Sequence, residues 1–151
     1  MSYTTINKVQ AAAKNIDPAG TKTSTFTADE YTSFISWGDM VVNGKLSAVY
    51  YTPLQTINRA GNSGIYPDPI EWIATNLVAG WIVESAYSRI DPNISDAGKV
   101  HKENALRELD EICNGVLGGS RRLEGQVLRA RNSFANPWVI PLEPPKNNVN
   151  F

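Results

Sequence analysis

Two apolar-striped stretches joined by a short polar connection limit this chain more than any other feature. The first reads EWIATNLVAGWIVESA from Glu71 to Ala86, and the second reads KVHKENALRELDEICNGVLGG from Lys99 to Gly119. In the first, Ile70, Ile73, Leu77 and Trp81 recur at helical spacing and Val78 and Ile82 widen the stripe. Ala74 and Gly80 carry so little side chain that a neighbouring helix can approach closely. In the second, Val100, Leu106, Leu109, Ile112, Cys113 and Val116 fall on one face, and Glu103 and Arg107 are spaced for an i,i+4 ion pair on the outer one. The intervening DPNISDAG is short enough to bring the second helix back antiparallel against the first. Trp72, Leu77, Trp81, Leu106, Leu109 and Ile112 are therefore assigned to packing between these helices. Asp68 is placed as N-cap with Pro69 at the first helical position, the helix running to about Ile90. Gly115 or the Gly118-Gly119 pair stops the later helix.

Two further helices precede this pair. TTINKVQAAAKN puts Ile6, Val9 and Ala13 on one face, and Asp17-Pro18-Ala19-Gly20 ends that helix. In TADE, Thr27 and Glu30 have the spacing of a capping box, so a second helix starts there. Phe34, Ile35, Val41, Val42, Leu46 and Val49 carry it to about Tyr51, with Gly38 as its weak point. The glycines, prolines and turn formers of TPLQTINRAGNSGIYPD predict an exposed loop from Thr52 to Asp68. Asn58, Arg59, Asn62, Ile65 and Tyr66 are its candidate interface residues. The expected fold is all-α: a small antiparallel bundle of about four helices over residues 1–118, with a long loop and an extended C-terminal arm over 119–151.

At 151 residues with 42% hydrophobic side chains, the chain has material for one core and little for a second. Fourteen basic against fifteen acidic residues do not describe a general polyanion binder. The charge is uneven, however: residues 1–117 carry nine basic and thirteen acidic side chains, a net −4, and 118–151 carry five and two, a net +3. Cys113 is the single cysteine, so no intrachain disulfide can form. The polar MSYTTINKVQ has no export or transit pattern, and Ile70 to Val83 is too short for a membrane span of about 20 residues. A soluble protein folded inside a cell, without membrane contact, is expected.

Nothing in the chain assembles a catalytic signature, and no enzyme activity, cofactor or metal is expected. His101 is flanked by Lys102 and Glu103 and has no ligand at a metal-binding spacing. Cys113 falls on an apolar stripe without an activating base. Ser63 in GNSGI lacks the last glycine and the leading strand of a nucleophile elbow. Asp17, Asp29, Glu30 and Asp39 are dispersed among turns and caps. No Lys-Ser/Thr pair follows the glycines at 115, 118 and 119, and Asn93-Ile94-Ser95 lacks the export signal a glycosylation acceptor needs. The arm is different: it combines Arg121, Arg122, Arg129 and Arg131 with Leu123, Val127, Trp138, Ile140 and Leu142. Prolines at 137, 141, 144 and 145 favour an extended chain suited to lie along another surface. Its thirty-three residues could reach roughly 110 Å at about 3.3 Å each. These residues are the candidate partner-binding set.

The order of these features resembles the head-tail adaptor (connector) proteins of tailed bacteriophages. The resemblance covers residue 4 to about 119. It rests on the N-terminal helix, the capped FTADEYTSFISWGDMVVNGKLSAVYYTPL stretch with its aromatic-Thr-Pro-Leu ending, PDPIEWIATNLVAGWIVESAYSR, and KVHKENALRELDEICNGVLGG with its glycine stop. A helix order and a set of apolar, proline and glycine positions match, rather than a catalytic signature, and the tail after Gly119 exceeds that of short family members. The resemblance implies a structural virion protein of the neck, made in the host cytoplasm. It implies about a dozen copies in a ring that binds the portal protein on one side and the next neck or tail-terminator protein on the other. Genomic DNA would pass through the lumen without sequence recognition. The alternative is a small nucleic-acid-binding helical module that uses the C-terminal arginines on phosphates.

Overall fold

The computed structural model describes residues 1–119 and 122–129. In chain order they form α1 (Ile6–Ile16), a short 3-10 turn (Thr23–Thr25), α2 (Ala28–Leu46), β1 (Ile57–Arg59), β2 (Asn62–Ile65), α3 (Ile70–Tyr87) and α4 (Pro92–Leu117). The described residues are thus mostly helical, in four helices. α3 is central and touches the other three.

The local chemistry that starts each helix is visible. Thr27 Oγ1 accepts from Glu30 N at 3.3 Å while Glu30 Oε2 accepts from Thr27 N at 2.7 Å, completing the capping box of α2. α2 runs unbroken through Gly38, where the side chain of Val78 fills the space a Cβ would need. It stops at Leu46 rather than near Tyr51, because Val49 and Tyr50 turn inward, both buried, and the backbone there pairs with residues 127–129 instead of continuing as helix.

Two helix starts differ from expectation. Pro69, not Asp68, is the N-cap of α3, and the Asp68 carboxylate instead meets Arg59. α4 begins at Pro92, so most of DPNISDAG is its first two turns rather than a connection. Asp91 caps it by accepting from Asn93 N at 3.0 Å and Ile94 N at 3.4 Å, with Pro92 occupying a position whose missing N–H costs nothing.

The early start of α4 matters because it places Gly98 opposite Gly80. A Cβ on Gly80 would lie 2.6 Å from the Gly98 carbonyl oxygen and 2.7 Å from Lys102 N, and a Cβ on Gly98 would lie 2.7 Å from Glu84 N. The two backbones touch where they cross. Beside this contact Ser95 Oγ donates to Glu84 O at 3.2 Å, and Lys102 forms a half-buried ion pair with Glu84. Glu103 faces Lys99 at 3.9 Å, whereas Arg107 donates to Asn104 at 3.1 Å, so the expected Glu103–Arg107 pair gives way to these neighbours.

The core has two parts along α3. At its N-terminal half Ile70, Ile73 and Leu77 pack with Val42 and Leu46 of α2, Ala105 and Leu109 of α4, and Leu123. Toward its C-terminus Val78, Ile82 and Val83 pack with Val9 and Ala13 of α1 and Tyr31 and Ile35 of α2. Trp72 and Val100, expected inside, are 54% and 52% exposed, and Trp72 lines an open groove with Ala12 and Asn15 of α1. Trp81 is half-buried and leans on α2, its ring centroid 4.1 Å from that of Trp37 and 4.8 Å from that of Phe34. Polar groups taken inside are matched. Asp17 is buried and accepts from the Tyr87 hydroxyl, and Thr4 and Thr75 hydroxyls share a hydrogen bond of 2.6 Å.

Candidate functional site

The loop after α2 is a short antiparallel hairpin. Ile57 stands opposite Ile65 and Arg59 opposite Asn62, with an irregular register between. Gly61 and Gly64 have positive φ, and Asn58 Oδ1 accepts from Gly64 N at 3.0 Å, so a side-chain amide closes the turn. Asn58, Arg59 and Asn62 are exposed as expected, whereas Ile65 and Tyr66 are half-buried and Ile57 is buried. Tyr66 stands edge-on to Tyr3, centroids 4.7 Å apart, which ties the hairpin to the N-terminal residues.

Residues 122–129 lie along this region instead of leaving the domain at 118. Five contacts follow one another in antiparallel order. Arg59 binds Glu124 at 2.6 Å, and Ile57 packs on Gly125. Gln55 and Gln126 exchange two hydrogen bonds, at 2.8 and 2.7 Å. Tyr51 N donates to Val127 O at 3.1 Å, and Arg129 N donates to Val49 O at 2.9 Å. This strap needs glycine at 125, where φ is +69° and a Cβ would come within 2.6 Å of Ile57 Cγ2. Leu123 is buried, and its N–H donates to the Tyr50 hydroxyl at 2.7 Å. Leu123 is thus a core residue of the subunit, held below the surface while its neighbours Arg122 and Glu124 remain exposed.

The hairpin and the described part of the expected arm therefore meet at one end of the bundle, with the C-terminal ends of α2 and α4. Arg59 is the hub. Its guanidinium contacts Asp68 at 2.7 Å and Glu124 at 2.6 Å, and these carboxylates, Asp68 first, raise its pKa above the ordinary arginine value. Arg122 rims a cavity of about 420 Å³ whose walls include Glu108 and Glu111 and whose apolar floor includes Ile112 and Leu123. Arg129 lies over the Tyr51 ring, 5.8 Å from its centroid. Tyr51 and Val127 are 56% and 61% exposed and Leu117, at the end of α4, is 48% exposed, so this end carries apolar surface beside its arginines. Arg121, Arg131, Trp138, Ile140 and Leu142 lie outside the described residues.

Glu124, Gln126, Gln55 and Tyr51 were not among the sequence candidates. Their spacing has no periodic signal, because the strap pairs with a segment some seventy positions away and is irregular itself. Of the residues weighed for chemistry, His101 is half-buried on α4 and Ser63 is exposed on β2. Cys113 is half-buried with its thiol 3.5 Å from Lys45 O; burial, assisted by Asp110, raises its pKa and keeps it protonated. Among the described residues no group of three or more His, Cys, Asp or Glu side chains is placed to hold a metal ion, and no helix is long and apolar enough to cross a membrane. Comparisons with protein families, with curated proteins and with solved structures find no match to this chain.

Proposed function

We propose that this protein is a structural assembly subunit, a head-tail adaptor that forms a ring between the portal and the tail of a tailed phage. The observation that carries this reading is the gathering of hairpin, strap and exposed Tyr51, Leu117 and Val127 at one end of a four-helix body. A subunit in a closed ring must meet a neighbour on each of two different sides and bind the components above and below. An end built from a hairpin and a strap pinned by Leu123 supplies contact surface while adding little to the core. In this reading the partners are the portal protein, other copies of the chain, and the next neck or tail-terminator protein. DNA passes through without being gripped, which suits a helical body of net negative charge.

The nucleic-acid-binding alternative asks the arginines to meet phosphates. It is the weaker reading because Arg59 is held by two carboxylates and Arg122 shares a cavity with Glu108 and Glu111. The test is to mix the full chain with a portal ring from the same genome and examine the complex by mass measurement and electron microscopy. A ring of this chain seated on the portal is the expected result. Failure to associate, together with a salt-sensitive shift of random duplex DNA, would overturn the adaptor reading in favour of the binder.

A further inference from the structure

A second surface feature adjoins the first at Asp68 and Pro69, where α1, α3 and the hairpin border a groove of about 640 Å³. Ala12 and Asn15 of α1, Trp72 and Asn76 of α3, and Ile65 and Tyr66 beside the hairpin are among its walls. Trp72 is more than half exposed, although α3 is otherwise the most buried helix, and Asn76 Nδ2 donates to Trp72 O at 2.9 Å, fixing an amide beside the indole. The charged groups at the rim are already matched. Lys8 pairs with Glu71 at 2.6 Å, and Asp68 pairs with Arg59. The groove is therefore aromatic and rich in amides, and its three charged residues, Lys8, Glu71 and Asp68, are each engaged in an ion pair.

From this we infer that the groove receives the proline-rich segment around Trp138 of a second copy of the chain. The inference rests on the reading of the protein as a self-assembling subunit and names the contact by which copies join. Three properties of the sequence fit the site. Residues 132–142, NSFANPWVIPL, contain no ionisable side chain, matching a groove whose charged groups are already engaged in ion pairs. Pro137 and Pro141 favour the polyproline conformation, which aromatic-lined grooves recognise, and which leaves backbone carbonyls for amide donors such as those of Asn15 and Asn76. Lastly, the strap runs from Glu124 beside Arg59 to Arg129 beside Val49, so the last described residue stands at the end of α2 and outside the walls of the groove. From Arg129 to Trp138 the backbone can extend at most about 30 Å. That is twice the ~14 Å radius of gyration of a body this size, enough to reach an adjacent copy.

The experiment uses the full chain carrying Cys113→Ser. One preparation adds Asn15→Cys in the groove and another adds Ile140→Cys in the segment; the two are mixed and oxidised mildly. A disulfide-linked pair of chains is expected, reduced about tenfold when the exposed Trp72 is also replaced by Ala, with circular dichroism confirming that Trp72→Ala remains folded. Two results would overturn the proposal: no linked pair although both thiols react freely with a maleimide, or a chain carrying both cysteines that closes on itself without linking to another. Portal rings that capture the chain while no link forms would leave the adaptor reading intact and remove only this contact. Linked pairs with no affinity for portal would do the reverse.

Discussion

The crossing of α3 and α4 and the seam between hairpin and strap both hold distant segments together, but by opposite means. At the crossing, Gly80 and Gly98 remove side chains so that two backbones meet, and further along the same helix pair Leu77 and Leu109 are fully buried. At the seam, the backbone pairs over only a few residues and the remaining contacts are long polar side chains, Arg59, Glu124, Gln55 and Gln126, all at or near the surface. Close packing without solvent tolerates almost no change of volume. Exposed ion pairs and amide pairs exchange readily with water and contribute little each. The comparison separates a rigid body from an end that can be rearranged when a partner arrives. Within the seam, Leu123 is the exception, buried with the body, and Gly125 lets the strap lie directly on Ile57.

Substitutions can break or sharpen this contrast. The largest effect is expected at the helix pair: Leu109→Ala should lower stability by about 2 to 5 kcal/mol in urea unfolding, since a fully buried leucine leaves a cavity that rigid neighbours cannot fill. An unchanged midpoint would show that α4 is not locked to α3.

Leu123→Ala follows, with a loss of about 2 kcal/mol, the low end of that range for a residue still slightly exposed. If it left the midpoint unaltered, the strap would be an accessory to the domain rather than part of its core.

Gly98→Ala should cost about 1 to 3 kcal/mol through overpacking, because the new methyl group meets backbone that cannot rotate away. A neutral result would mean that the helices can separate and that the body is no more rigid than the seam.

Alkaline titration gives a further check on the body. Burial raises the pKa of Tyr3 and of Tyr31 above the ordinary value of 10.0. Below pH 10 both are protonated whether folded or unfolded, and stability is at its full value. As the pH rises past 10 the unfolded chain loses these protons more readily than the folded one, so the thermal midpoint should fall. A midpoint independent of pH between 8 and 11 would contradict the burial of these rings.

The smallest effect is expected from Arg59→Ala. All its partners are exposed, so the thermal midpoint in physiological salt should not move measurably, although the hairpin should become more accessible to protease. A midpoint shift comparable to that of Leu123→Ala would place the seam on the same footing as the body.

What could be read from the sequence was local. The Thr27/Glu30 spacing located the start of α2, the stripe through Ile73 and Leu77 located the buried side of α3, and Gly80 marked a close approach. Each follows from chemistry within a few residues along the chain, where helical geometry dictates which groups meet. The same reading placed a connection where α4 begins, since Asn93, Ser95 and Gly98 have the composition of a turn until Asp91 and Pro92 set the helix going. Only the tertiary structure decided that Gly98 meets Gly80, that Trp72 faces out, that Tyr50 receives the Leu123 N–H, and that the start of the expected arm belongs to the core. Those contacts join residues far apart in the chain, several of them about seventy positions away, and neither composition nor period carries information about a partner at that distance. The pairing exists because four helices, once packed, bring the ends of α2, α3 and α4 to one place and leave a space there that fits a leucine and a glycine.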